Sequence, residues 1–404
     1  MSQGKSTAIP DPSLVLPHYQ PIISMDSQLI VAYEVLGRIM TPEGIRSLGP
    51  FFQDPNVSMD DALSIDRIIR QKALSMLSNS IEKKKGLFFN IKPAWIYMYR
   101  KSPDQMPTLQ FLRQHKIDPS RVTIEITEDC FYEDIEELAR VTRFYREAGC
   151  KIAIDDVGSG FINFDRIAYI KPNILKLDLE LVKKCAKEQF FYEILTSFAV
   201  MAEKIGAFLL FEGIETEEDV QLALSLGARY MQGYYFAKPQ NKILPDDTFE
   251  PTLNMQIQRF VDQKLWQQHA FHHEEEYFQR SLSSIIPPWS STSHNLAEQC
   301  DFFIQSFLKL LPKDVIRVYL CDERGLQYSS NFMRNNEAWC KKERFQGYNW
   351  AWRPYFLNNI VKVAYRKKGK LSTYYTDAHC GEKMRTYIHP VSNGFYLCLD
   401  ISDR

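Results

Sequence analysis

Residues 122–156 read VTIEITEDCFYEDIEELARVTRFYREAGCKIAIDD. An apolar run ends in Glu125, a helix candidate covers 132–149 and stops at Ala148-Gly149, and a second apolar run ends in Asp155-Asp156. Strand, helix and strand in that order make a crossover unit, which joins parallel strands. The same rhythm extends from His18 to about Pro239. Apolar runs at 30–34, 87–90, 122–125, 152–156, 174–176, 208–212 and 230–232 end in Glu34, Asn90, Glu125, Asp155-Asp156, Lys176, Glu212 and Gln232. Helix candidates lie at 58–77, 189–206 and 217–226, the last closed by Gly227. The run at 19–23 stands only a short turn before 30–34, so those two pair as a hairpin and one strand is antiparallel. The expected fold is α/β, a mostly parallel sheet with crossover helices and one antiparallel strand. Closed into a barrel, such strands gather their ends at one mouth.

The chain has 404 residues, which suits a barrel of roughly 250 residues plus a smaller domain. Hydrophobic residues make up 45%, as in a globular protein. A net charge of -1 argues against nonspecific binding to DNA, RNA or an anionic membrane. No apolar stretch is long enough for a membrane span, and the polar start lacks the apolar core of a signal peptide. The eight cysteines are scattered without a CxxC pair, which fits reduced thiols in the cytoplasm and argues against structural zinc.

Beyond the barrel, apolar residues recur at helical spacing over 253–285, with no Gly or Pro until Pro287-Pro288. This helix is an arm between domains, a dimer seam, or a helix packed on its own barrel. After it come a helix candidate at 296–311 and strand-like runs at 315–321, 371–375, 384–389 and 395–401. The last domain also holds the aromatic-rich stretch Tyr348-Asn349-Trp350-Ala351-Trp352-Arg353-Pro354-Tyr355-Phe356.

The polar residues at the barrel mouth suggest metal-assisted chemistry. Glu34, Asn90, Glu125, Asp155 and Asp156 are all oxygen donors, and such sites prefer hard cations. Paired aspartates suit a bridge between two ions, which together can clamp a phosphodiester and activate water. Lys176 and Glu212 would position or deprotonate that water. A single carboxylate at a strand end is more often a cap or a surface group. Six or seven in register are not explained that way. Val157-Gly158-Ser159-Gly160 gives a close-approach loop directly after the aspartates.

Several motifs carry a resemblance. In order they are Tyr33-Glu34-Val35-Leu36-Gly37-Arg38, Asn90-Ile91-Lys92-Pro93, Glu125-Ile126-Thr127-Glu128 and Asp155-Asp156-Val157-Gly158-Ser159-Gly160. Lys176-Leu177-Asp178, Glu212-Gly213-Ile214-Glu215-Thr216 and Gln232-Gly233-Tyr234-Tyr235-Phe236-Ala237-Lys238-Pro239 follow. Together they resemble the EAL-domain family of cyclic di-GMP (c-di-GMP) phosphodiesterases over about residues 15–245, and the resemblance implies a (β/α)8 TIM-like barrel with one antiparallel strand. The resemblance implies hydrolysis of c-di-GMP to linear pGpG with two Mg2+ or Mn2+ ions per site, while Ca2+ could occupy the site without turnover. It implies Glu34, Asn90, Glu125 and Asp155 on the first ion and Asp155 and Asp156 on the second. Lys176 would orient the water, Glu212 would assist as a base or support the metal ligands from behind, and Arg38 would fork onto a phosphate. Gln20, Leu36, Asp178, Gln232, Tyr235, Phe236 and Pro239 would contact the nucleotide, Glu128 would steady the Gly-rich loop, and the protein would be a homodimer.

The implied layout is a lead-in at 1–17, a barrel domain at 18–250, a linker helix at 251–286 and a sensor domain at 287–404. The aromatic stretch, Tyr374-Tyr375 and the closing strand resemble PAS-like or Cache-like domains, in which an aromatic and Arg pocket holds a small ligand. Core or dimer contacts would explain the same aromatics. The departures from the family are Val35, Gly37, Val157, Ser159 and the run Phe161-Ile162-Asn163-Phe164. The divergent loop over 157–164 motivates a second reading, a noncatalytic c-di-GMP receptor signalling through the helix. An enolase-like Mg2+ barrel is a third, but it gives no reason for 232–239. Three other signals carry less. Gly4-Lys5-Ser6 lacks the rest of a phosphate loop, 272–276 reads as a solvated charged stretch, and Lys83-Lys84-Lys85 reads as a solvated loop.

Overall fold

The computed structural model describes residues 9–79, 85–127, 134–155, 157, 164–179, 182–183, 189–286, 295–336, 338–377, 381–391 and 394–402. It forms two compact units, Met1–Asp262 and Gln263–Arg404.

The first unit is a closed barrel of eight strands. Strands β1 (Val15–Ser24) and β2 (Ile30–Thr41) form the expected antiparallel hairpin, and β2 turns back on β3 (Gly44–Ser47). From β2 the sheet runs parallel through β4 (Gly86–Ile91), β5 (Val122–Ile126), β6 (Lys151–Ile154), β7 (Ile174–Asp178), β8 (Phe208–Glu212) and β9 (Tyr230–Met231). Strand β9 then pairs antiparallel with β1 and closes the ring.

Helices alternate with these strands: α1 (Gly49–Gln53), α2 (Met59–Asn79), α3 (Pro93–Tyr97), α4 (Pro107–His115), α5 (Ile135–Glu147), α6 (Phe164–Ile170), α7 (Gln189–Ile205) and α8 (Glu217–Ser225). Local chemistry fixes their starts. Ser58 Oγ accepts from Asp61 N at 3.1 Å before α2, and Asp134 Oδ1 accepts from Glu136 N at 2.9 Å before α5. Thr216 and Asp219 form a reciprocal capping box on α8. Each such cap stabilises its helix by about 1 kcal/mol.

The strand pattern differs from expectation at two places. Strand β2 does not end at Glu34; it continues to Thr41 because Val35 to Ile39 pair with the first half of β1 and the last turn pairs with β3. Lys85 is not solvated: its side chain is buried, its Nζ donates to Leu244 O at 2.6 Å, and it pairs with Asp246. Residues 81–84 lie outside the described set.

The helix expected at 253–285 is α9 (Glu250–Ile285), 36 residues without a break. Its apolar stripe is not one seam. Leu253 joins the barrel core, while Phe278 and Leu282 are buried in the core of the second unit. Between them Val261, Leu265 and Trp266 are exposed. The charged stretch at 272–276 is not simply solvated. Glu274 takes both guanidinium nitrogens of Arg385 at 2.6 Å, and Glu275 pairs with Lys370 at 3.2 Å.

The second unit is an antiparallel sheet with helices, so it is α+β. Its strands are β10 (Val315–Asp322), β11 (Asn331–Asn335), β12 (Ala338–Lys342), β13 (Lys370–Leu371), β14 (Tyr375–Thr376), β15 (Lys383–Pro390) and β16 (Phe395–Ser402). The sheet order is β12-β11-β10-β16-β15-β13, with β14 also on β15. The run expected at 371–375 is thus two short edge strands. Helix α10 (Leu296–Gln305) ends before 311, in a 3-10 turn at Leu308–Leu310. Helix α11 (Pro354–Arg366) follows the aromatic stretch. Trp350 and Phe356 are core residues, Trp352 is exposed, and Arg353 lies 4.5 Å from the Trp350 ring centroid.

Candidate active site

The mouth chemistry follows from the period of a strand. Residues two apart in a strand face the same side. Ile22, Ala32, Phe88, Ala153, Ile174 and Leu210 form a small apolar cluster of their own, with Tyr230 packed on it. Two residues along each strand stand Gln20, Glu34, Asn90, Asp155, Lys176, Glu212 and Gln232. The buried Thr123 has the same relation to Glu125. All eight barrel strands therefore place one polar group in a single layer above an apolar plug. Glu34 and Lys176 lie inside their strands rather than at the ends, so the layering gathers them, not strand termination.

Lys176 is the hub of that layer. Its Nζ lies 2.8 Å from Glu125 Oε1, 3.1 Å from Asp155 Oδ1, 3.1 Å from Glu212 Oε1 and 4.0 Å from Glu34 Oε1. The Lys176 and Glu125 side chains are closed to solvent. Asn90 Nδ2 donates to Glu34 Oε1 at 2.6 Å, and Gln232 Nε2 donates to Glu34 Oε2 at 2.5 Å. Gln232 Nε2 also reaches Gln20 Oε1 at 3.1 Å, and Gln20 Nε2 donates to Ala237 O at 3.3 Å.

The electrostatics follow from crowding and burial. Burial pushes the Glu125 carboxyl well above the usual range; Lys176 opposes the shift, while Glu34 and Asp155 add to it. Burial likewise drives Glu212 up, against Lys176. Burial alone would strip the proton from Lys176, but Asp155, Glu125, Glu212 and Glu34 outweigh it and hold the ammonium charged.

The donor set fits a hard cation. It is oxygen-rich and carries excess negative charge, and it includes buried oxygens that accept no well-aligned hydrogen bond: both of Glu125 and Oε1 of Gln232. Among the described residues no three His, Cys, Asp or Glu side chains stand at the ligand spacing of a single ion; the carboxylates converge on the Lys176 ammonium instead. Asp156 and Glu128 lie outside the described residues.

The nucleotide-side residues divide into two groups. Leu36 and Arg38 line a cavity of about 280 Å³ beside the ring, with Phe52, Asn90, Lys92 and Trp95. Arg38 Nη1 donates to Gly37 O at 2.9 Å. A Cβ at Gly37 would stand 2.6 Å from Ile69 Cδ1 of α2, the far end of a side chain that can turn away. Asp178 ends β7, half-buried, in register with Glu212. Tyr235 and Phe236 do not join the ring. The Tyr235 hydroxyl accepts from Gln256 on α9, and Phe236 packs into the core against Phe249, 5.5 Å between ring centroids. Pro239 O accepts from His18 at Nδ1, 3.1 Å.

His18 and Gln256 are absent from the sequence-derived site. His18 could have been found as the inward-facing residue two before Gln20; Gln256 had no signal beyond a polar residue next to an apolar stripe. Gly233 is explained by close approach. A Cβ there would lie 2.1 Å from Ile214 O, because the turn after β8 and the strand end after β9 are in backbone contact.

With this geometry in place, comparison with known proteins defines the class: residues 8–239 match the EAL domain, and the chain belongs to that family. Residues 243–404 match an EAL-domain associated signalling protein domain. The EAL-domain containing protein YkuI of Bacillus subtilis (strain 168) shares the whole layout, with 35% identity over 390 residues, 96% of this chain and 94% of that protein. The crystal structure of B. subtilis YkuI in complex with substrate c-di-GMP and calcium matches at a TM-score of 0.89 and 32% identity, over 97% of each chain. The cyclic di-GMP phosphodiesterase RocR of Pseudomonas aeruginosa is 28% identical over 236 residues, 55% of this chain and 56% of RocR.

Proposed function

We propose that this protein is a metal-dependent c-di-GMP phosphodiesterase that hydrolyses one phosphodiester to give linear pGpG. The observation that carries the reading is the eight-strand polar layer centred on Lys176, in a chain similar along its length to a YkuI crystallised with c-di-GMP and calcium. Glu34, Asn90, Glu125 and Asp155 would hold one divalent ion, and Asp155 with Asp156 the second. Mg2+ or Mn2+ supports turnover in this reading, and Ca2+ occupies the site without it. When bound, the ions supply charge neutralisation at the phosphodiester and a more acidic water.

The chain's own groups do the rest. Asn90 and Gln232 fix the Glu34 carboxylate from both sides. Lys176 keeps its proton and holds the attacking water in line by donating to it. Glu212, raised by burial, takes the proton that the water loses. Arg38 presents a guanidinium fork to a phosphate oxygen, and Leu36, Gln20 and Asp178 orient the nucleotide. Water's oxygen joins phosphorus as one P–O ester bond breaks, and the leaving sugar oxygen takes up a proton.

The second reading, a receptor that binds without turnover, is favoured by the departures at 157–164. Incubation with c-di-GMP and Mn2+ followed by chromatography separates the two: pGpG supports the enzyme, and tight binding without product supports the receptor. The exposed Phe164, Tyr169, Phe190, Phe191 and Ile194 support a homodimer through α6 and α7, testable by sedimentation velocity of Phe190→Asp against wild type. We read residues 18–250 as the catalytic part, 251–286 as the link and 287–404 as the sensor. The described cysteines are free thiols, which supports a cytoplasmic location.

A further inference from the structure

Helix α9 enters its long span through two turns keyed into the barrel unit. Leu253 is fully buried there, and three residues on Gln256 is 1% exposed. A buried amide needs partners. Gln221 Nε2, on α8, donates to both the backbone O and Oε1 of Gln256 at 2.9 Å. Gln256 Nε2 then donates to the Tyr235 hydroxyl at 3.4 Å. Tyr235 N donates to Ile214 O at 2.9 Å, and Ile214 N to Gln232 O at 3.1 Å. Gln232 Nε2 reaches Glu34 at 2.5 Å. Continuous hydrogen bonding and chain therefore lead from the helix to a carboxylate of the mouth. Phe236 on Phe249 supports the same segment from the apolar side.

We propose that Gln256 is a positioning residue for the dinucleotide mouth: it pins segment 232–239 against the turn after β8, and so sets affinity for the cyclic dinucleotide without touching it. This rests on reading the mouth as the c-di-GMP site. It also gives α9 a defined point of purchase on that site, at the end of the helix held by the barrel.

The test compares Gln256→Leu, Gln256→Glu and Gln258→Leu in the full chain. In Gln256→Glu the buried side chain takes up a proton rather than stay charged, and as the neutral acid it accepts from Gln221 and donates to the Tyr235 hydroxyl, so both contacts are kept. Gln258 is exposed on the same helix and controls for the change in chemistry. Two readouts are taken: the Kd for c-di-GMP with Ca2+, and amide exchange across 232–239 without ligand. Gln256→Leu is expected to raise Kd about tenfold and to speed exchange in 232–239. Gln256→Glu and Gln258→Leu should stay near wild type. Wild-type affinity and exchange in Gln256→Leu would overturn the proposal, as would faster exchange spread over all barrel strands. If wild type itself fails to bind, the reading of the mouth fails, and exchange in 232–239 alone decides the role of Gln256.

Discussion

Lys176 Nζ and Glu125 Oε1 stand 2.8 Å apart with both side chains sealed from solvent. Neither is tolerable alone: a buried charge that loses its partner costs about 3–5 kcal/mol. Asp155 and Glu212 share the same ammonium at 3.1 Å. Lys176→Met should therefore destabilise the barrel unit by about that amount in urea unfolding. Added Mg2+ or Ca2+ should restore part of the loss, because the carboxylates would then take the ion as their counter-charge. A variant as stable as wild type without metal would show that the ring does not depend on Lys176.

The far end of α9 is a packing element of the second unit. Leu282 is fully buried, whereas Trp266 on the same helix is 73% exposed. Leu282→Ala should cost about 2–5 kcal/mol of second-unit stability, and Trp266→Ala should stay within about 0.5 kcal/mol. Denaturant curves of the two variants check this. Equal effects would mean that the two ends of the stripe are packed alike.

His389 makes that unit sensitive to acid. Burial pushes its imidazole down to about 4 from an ordinary 6.5. The unfolded chain thus takes up a proton before the folded one does. The contribution is fully present above pH 6.5 and is lost as pH falls toward 4, by roughly 3 kcal/mol in total. Urea midpoints at pH 7 and pH 4.5 should differ less in His389→Gln than in wild type. The same shift in both would remove His389 from the account.

Much of the barrel is legible in the sequence because its parallel strands are short apolar runs that each close on a polar residue. Glu125, Asp155, Lys176 and Glu212 announce themselves this way. Helix α9 is legible because nothing breaks it. What packs on it is not, since Glu274 and Glu275 look like any solvated acidic run until Arg385 and Lys370 come to them from distant strands. Lys85 hides in a lysine triplet for the same reason: its partners Leu244 and Asp246 are about 160 residues away, near the start of α9. Hairpin β11–β12 is missed because much of its exposed strand is polar, with no alternation to mark it.

The central claim is that the layer around Lys176 performs metal-assisted hydrolysis of c-di-GMP. The direct measurement is chromatography of c-di-GMP after incubation with the full-length protein and Mn2+, beside Glu34→Ala and Lys176→Ala. Linear pGpG from wild type and none from either variant is the predicted result. No pGpG from wild type at saturating metal would contradict the account, whether or not the dinucleotide binds.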